Sequence, residues 1–336
     1  MIGPLTEYAE AQWQTWFERS HDQIGIAIGS GGPAHRTRAA VFAFEGHRRR
    51  PSVVMKIAFT ELEAGFLRHE HDALAAIRPR LAAPMRRSMP RALGIAEIEG
   101  NTVLSMEALR GKRLLVPNLG GTGGPLPRKL LGDFYQRAFD WSNDLATTTS
   151  SDRQLDGSAL AELVDRYIGL RPQTAPVASR LGSFRSAVAA SGIGWSHSWQ
   201  HADLAVGNVL FDHGEIRLLD WEHASEHSQP WFDLAQAPGA TARLAKRQTG
   251  AASSREAAMS ALGRSGWAGD VLRSEMERVW DDRMPLGWAV ALASMATAIR
   301  QAEDSRMGAD DWTEFTAALL SDEELRSELP WMIPDW

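Results

Sequence analysis

Residues 201–222 hold the side chains whose types and order could do chemistry. The run His201-Ala202-Asp203-Leu204-Ala205-Val206-Gly207-Asn208 is followed, after an apolar interval, by Asp220-Trp221-Glu222. A carboxylate, an amide and a second carboxylate in this order are the parts of a magnesium-dependent phosphoryl-transfer site. Such a site needs one acid to take a proton from an attacking hydroxyl. It also needs two hard oxygen donors to hold a divalent cation among phosphate oxygens.

The residues in between say how these groups are positioned. Val209-Leu210-Phe211 and Ile216-Arg217-Leu218-Leu219 are apolar runs flanking Asp212-His213-Gly214-Glu215, whose Asp and Gly suit a hairpin turn. Folding about that turn puts Asn208 opposite Leu219 and so beside Asp220, which makes Asn208 and Asp220 the expected Mg²⁺ ligands. Asp203 stays in the loop before the ribbon, from which its carboxylate can act as base. The plainer reading is a set of loop acids beside an ordinary hairpin, since Asp and Asn populate turns for local reasons. Three polar groups spaced around one apolar hairpin favour the chemical reading. His201 reads as a hydrogen-bonded prop of the loop rather than as a proton carrier.

These motifs resemble those of the aminoglycoside phosphotransferase and choline kinase-like family, small-molecule kinases with the two-lobed protein-kinase fold. The family's loop reads His-Gly-Asp-Leu-His-Pro-Gly-Asn, with Asp-Trp-Glu or a similar triplet after the hairpin. Trp231-Phe232-Asp233-Leu234-Ala235 looks like its Asp-Leu-Ala segment. The resemblance implies that Asp203 is the catalytic base, that Asn208 and Asp220 hold Mg²⁺, that Asp233 braces the loop, and that ATP or GTP is the phosphate donor. Two departures stand out: Ala202 replaces the usual glycine, and Ala205-Val206 replaces His-Pro. Neither removes a group that does chemistry. The implied architecture is α+β and bilobal: a small N-terminal antiparallel sheet lobe with one helix over residues 1–108, and a larger, mostly helical lobe over 109–336.

A nucleotide lobe can be sought in residues 20–110. Gln23–Ile28 and Ala39–Phe44 read as strands joined across Gly29-Ser30-Gly31-Gly32, where Ser30 and Gly31 could cover phosphates with backbone N–H groups. The spacing matches no strict dinucleotide or Walker pattern, and a plain hairpin loop is the competing reading. Val53-Val54-Met55-Lys56-Ile57-Ala58 embeds a lysine in an apolar strand. In the helix that follows, Leu67, Glu70, Leu74 and Ile77 recur at helical spacing and put Glu70 on the apolar face. A buried carboxylate needs a partner, and Lys56 is the candidate, with Glu63 as the alternative acid. The resemblance gives the Lys56–Glu70 pair the task of holding the α- and β-phosphates. Thr102–Met106 then reads as the last strand of the lobe, and the resemblance makes the backbone of Glu107 and Ala108 the nucleobase hinge.

Bulk properties narrow the choice. A chain of 336 residues with 44% hydrophobic content and mean hydropathy −0.28 describes a globular protein that stays in water. No apolar run reaches the length of a membrane span. Leu5, Tyr8, Trp13 and Trp16 suggest an amphipathic helix rather than a signal peptide. The absence of cysteine excludes disulfides and thiolate metal sites and fits the cytoplasm. A net charge of −6 argues against nucleic acid as the main ligand, and His47-Arg48-Arg49-Arg50 reads as a solvated hairpin tip.

The expected partners are a nucleoside triphosphate and a small hydroxylated substrate, bound by a monomer or homodimer. Helices are expected in residues 153–189 and 254–326, broken by Pro172, Gly182 and Gly266. Ten of the 13 tryptophans lie at or after Trp195. Core packing is their default role, although indole faces also stack on sugars and cationic nitrogen. Glu222, Trp231, Asp281, Asp282 and Asp335 are the candidate substrate contacts. A protein kinase is disfavoured, since position 202 lacks an arginine and Trp221-Glu222 stands where Phe-Gly would.

Overall fold

Alternation of apolar and polar residues builds the first sheet. A computed structural model of the chain describes residues 2–29, 37–113, 127–170, 174–280, 284–304 and 309–332. Five strands, Ile24–Gly29, Arg38–Glu45, Val53–Ala58, Ala92–Ile98 and Asn101–Glu107, form one antiparallel sheet with the last two exchanged in spatial order. Val41, Ala43, Val53, Met55, Ile57 and Val103 point to its buried face. The helix Ile2–Phe17 lays Leu5, Ala9, Trp13 and Trp16 on that face. The unit therefore carries a second long helix besides Glu61–Ile77.

Helix Glu61–Ile77 starts where Thr60, in extended backbone, accepts a hydrogen bond from the Glu63 amide and acids fill the first turn. It ends at Arg78-Pro79, since proline cannot continue the ladder. Its inward stripe is Glu63, Ala64, Leu67, Glu70, Ala73, Leu74 and Ile77.

By contacts the chain divides into two compact units, residues 1–113 with 208–224, and residues 114–207 with 225–336. The hairpin belongs to the first. Val209–Asp212 pairs with Glu215–Leu218 about His213 and Gly214, whose φ of +49° and +86° make the two-residue turn whose twist matches the strands. Lys112–Arg113 adds an edge strand against Leu210 and Phe211. The Leu218 amide donates to the Ser88 carbonyl at 2.7 Å, and His69 Nε2 hydrogen-bonds the Ala224 carbonyl at 2.7 Å. The tip at His47–Arg50 is solvent-exposed.

In the second unit, helix Arg128–Thr149 buries Leu131, Phe134, Tyr135, Ala138 and Leu145. Helices Gly157–Gly169, Ala175–Ala190, Phe232–Thr249, Ser254–Leu262, Gly269–Val279, Leu286–Glu303 and Ala309–Ser321 follow. Gly182 does not break a helix; it lies inside Ala175–Ala190, where burial of Leu181, Phe184 and Val188 outweighs a glycine cost of about 1 kcal/mol. Gly266 does separate two helices, and Pro172 lies outside the described residues. Short strands Ser198–Gln200 and Ser225–Ser228 pair beside the loop that carries Asp203.

Candidate active site

In the first unit Lys56 is the organising charge. Its Nζ donates to both Glu70 oxygens, at 2.8 and 2.7 Å, and to Asp220 Oδ1 at 2.6 Å. Glu70 is fully buried, the Lys56 side chain is 13% exposed and that of Asp220 41%, so the cluster opens toward solvent through Asp220. Burial, the largest single influence on Lys56, works against its charge. Asp220, Glu70 and Glu222 outweigh it and hold the ammonium above its ordinary value. The ammonium in turn holds the Asp220 carboxyl below the usual carboxylate range. Glu70 moves the other way, because burial pushes its carboxyl up.

Asp220 sits at φ +58°, the left-handed region that Asp tolerates better than most residues. The next amide, of Trp221, donates to Glu70 Oε1 at 3.1 Å, and the Trp221 indole is buried with Nε1 donating to the Leu218 carbonyl. The Leu219 amide donates to the Asn208 carbonyl at 2.8 Å, so Asn208 closes the hairpin one residue before Asp220 on the facing strand. Among the described residues no three acidic or histidine side chains converge as a metal cage. One carboxylate and one amide oxygen still suit Mg²⁺, which keeps waters and takes its other ligands from phosphates.

Glu63, the alternative partner for Lys56, instead faces Arg38 at 3.6 Å and Thr37 at 3.4 Å. Arg38 also forks onto Glu222, with Nη2 at 3.3 Å from Oε1. Glu222 is thus buried in an ion pair on the strand side of the unit rather than presented to solvent. At the end of the sheet the Glu107 amide donates to the Arg91 carbonyl and the Ala108 amide to the Ser52 carbonyl, both at 2.9 Å. Both N–H groups of the expected hinge are thus spent on the sheet and its flanking chain.

In the second unit the loop before Asp203 is held from within. Asp233, buried in the first turn of helix Phe232–Thr249, accepts from the His201 amide at 2.9 Å and the Ala202 amide at 2.7 Å. Burial pushes the Asp233 carboxyl up, while His201, the two amides and Arg300 pull it back. His201 is buried, and its Nδ1 accepts from the Asp203 amide at 3.3 Å. Asp203 is half-buried. Arg300 Nη1 donates to the Ala202 carbonyl at 2.7 Å. Arg243 lies close enough to Asp203, Arg247, Asp311 and Arg300 to feel all four charges; burial is the largest influence and lowers its pKa.

Trp231 meets Trp195 edge-on at 5.6 Å and Trp280 at 6.3 Å. The three line a small, partly open hollow with Asn143, Leu234 and Met284. The Trp231 indole N–H is buried there with no acceptor among the described residues. Ser30, Gly31, Asp281, Asp282 and Asp335 lie outside the described residues.

Arg38, Arg243 and Arg300 carry no motif, and the sequence reading passed over them. For Arg300 a signal existed: it continues the stripe of Val290, Ala293 and Thr297 on a helix that is mostly apolar up to that point.

The model of the phosphotransferase enzyme family (APH) matches residues 33–269. Among solved structures, macrolide 2′-phosphotransferase MphH from Brachybacterium faecium is 16% identical, covering 96% of this chain and 98% of that one, with a TM-score of 0.50. Aminoglycoside phosphotransferase APH(3″)-Id from Streptomyces rimosus is 13% identical over 87% of this chain and 99% of that one, at 0.45. A glucosamine kinase is 13% identical over 96% and 84%, at 0.40. None of the curated protein sequences matches this chain.

Proposed function

Because the chain belongs to the phosphotransferase enzyme family, we propose that it moves the γ-phosphate of ATP or GTP to a hydroxyl of a small sugar-bearing antibiotic, an aminoglycoside or nucleoside type, and so confers resistance. The observation that carries the kinase chemistry is Lys56 bridging Glu70 and Asp220, with Asn208 on the adjoining rung of the hairpin. Asp220 would serve a bound cation in place of Lys56, whose N–H would then be available to a phosphate oxygen. Glu70 keeps its grip on Lys56 throughout. Asn208 and Asp220 would hold Mg²⁺, which would offset the charge of the phosphates. Asp203 accepts the acceptor's hydroxyl proton as that oxygen bonds to the γ-phosphorus and the bridging P–O bond breaks, releasing the nucleoside diphosphate.

The acceptor class rests on the tryptophan hollow of the second unit. Its lining of Trp195, Trp231 and Trp280 is the kind of aromatic surface that packs against a sugar ring or a cationic nitrogen. The test is nucleotide consumption, with ATP and with GTP, against aminoglycosides, nucleoside antibiotics, choline and homoserine. An antibiotic should turn over, Asp203→Asn should lower kcat by about 10²–10⁴-fold, and Lys56→Ala should chiefly raise the nucleotide KM. Turnover of choline or homoserine alone would overturn the acceptor class. Full activity in Asp203→Asn would overturn the base.

A further inference from the structure

Ala202 stands where the resembling family has glycine, and it takes the backbone conformation that glycine would take for free. Its φ is +61° and it is buried. An L-residue with a Cβ is disfavoured there, so something must hold it. Both of its backbone polar groups are held by charged side chains from distant helices. The amide donates to Asp233 Oδ1 at 2.7 Å, and the carbonyl accepts from Arg300 Nη1 at 2.7 Å. The first contact comes from the start of helix Phe232–Thr249, the second from the last turn of helix Leu286–Glu303.

We propose that Arg300 is a positioning residue for phosphoryl transfer: its guanidinium pins the carbonyl of Ala202, keeps that residue left-handed and thereby aims Asp203. The next residue in the chain is Asp203, so a change of φ or ψ at 202 swings its carboxylate bodily. Asp233 and His201 hold the amides of residues 201–203, and Arg300 holds the 202 carbonyl. With the Arg300 bond removed, Ala202 relaxes toward ordinary backbone, whereas a glycine would visit the left-handed region unaided. The inference rests on the reading of Asp203 as the base.

The experiment compares wild type, Arg300→Met, Arg300→Lys, Ala202→Gly and the Ala202→Gly/Arg300→Met double variant as full-length protein. Amide hydrogen exchange at residues 201–203 should quicken about tenfold in Arg300→Met, less in Arg300→Lys, with the amides of 209–218 unchanged. At saturating Mg²⁺-ATP or Mg²⁺-GTP, with water or a panel compound as acceptor, kcat should fall about tenfold while the nucleotide KM stays within about twofold. The loss caused by Arg300→Met should be about threefold smaller when residue 202 is glycine. Unaltered exchange at 201–203, or equal losses in both backgrounds, would overturn the proposal. Should Arg300→Met fail to fold, Arg300→Lys carries the same comparison, because its ammonium still donates but on a shorter reach that aligns less well with the 202 carbonyl. Full activity in Asp203→Asn beside quickened exchange in Arg300→Met would remove the base and leave the clamp. An inactive Asp203→Asn beside unaltered exchange would remove the clamp alone.

Discussion

Lys56 has three N–H donors and all three are engaged, two by Glu70 and one by Asp220. Lys56→Met would leave the buried Glu70 carboxylate with the Trp221 amide as its remaining donor among the described residues. Breaking a buried pair from one side costs about 3–5 kcal/mol while the orphan stays ionised. Glu70 has a way out, because burial already pushes its carboxyl up and loss of Lys56 pushes it further. A carboxyl whose folded-state pKa lies above its unfolded value contributes stability at low pH and loses it as pH rises through the folded value. The Lys56→Met deficit in urea should therefore be small near pH 4–5 and approach about 3–5 kcal/mol by pH 8. A deficit that shrinks with rising pH would contradict this account of the pair. Lys56→Met/Glu70→Leu should recover most of the loss, since an apolar replacement leaves no charge to neutralise.

Two helical glycines separate what propensity dictates from what packing dictates. At Gly182, in Ala175–Ala190, an added Cβ would meet nothing within 4 Å, so Gly182→Ala should stabilise by about 0.5–1 kcal/mol through helix propensity alone. At Gly239, in Phe232–Thr249, the same atom would lie 2.1 Å from the Trp312 ring. Overpacking costs about 1–3 kcal/mol, which exceeds the propensity gain, so Gly239→Ala should destabilise. Denaturant midpoints moving the same way in both variants would refute the contrast. The pair also marks how far pattern reaches. Four of the five strands, the register of the 209–218 hairpin and the choice of Glu70 over Glu63 were legible, because alternation, turn chemistry and an acid on an apolar face are local signals; Ala92–Ile98, the edge strand that is only partly buried along its length, was not. Short strands such as Ser198–Gln200 carry too few residues for a period, and Gly182 read as a break because glycine looks the same in the chain whether or not space surrounds it. The partners of Ala202 lie 31 and 98 residues away, beyond any local pattern.

At the scale of the whole molecule, charge decides what the chain can bind. The chain is acidic overall, and in its first unit the four acids Glu63, Glu70, Asp220 and Glu222 cluster around Lys56 and Arg38. A bare triphosphate brought to this cluster meets more acid than base, and like charges in a partly desolvated place repel strongly. A divalent cation reverses the sign at Asp220, so nucleotide and metal should bind as a unit rather than independently. Unit one is also assembled from two separated stretches of chain, 1–113 and 208–224, so a ligand that grips Lys56 and Asp220 ties both stretches into the folded state. Binding at 100-fold over Kd stabilises by about 2.7 kcal/mol. At about 2.1 cal/mol/K per residue, that raises Tm by about 4 °C if the chain unfolds as one. The expected result is a shift of that size with Mg²⁺ plus ATP or GTP, and almost none with nucleotide in a chelator or with Mg²⁺ alone. Asp220→Ala should lose the shift entirely, because it removes the only carboxylate proposed to face the metal. A full shift with nucleotide in the chelator would mean that the phosphates are held without the cation, and that the acids around Lys56 serve the fold rather than the reaction.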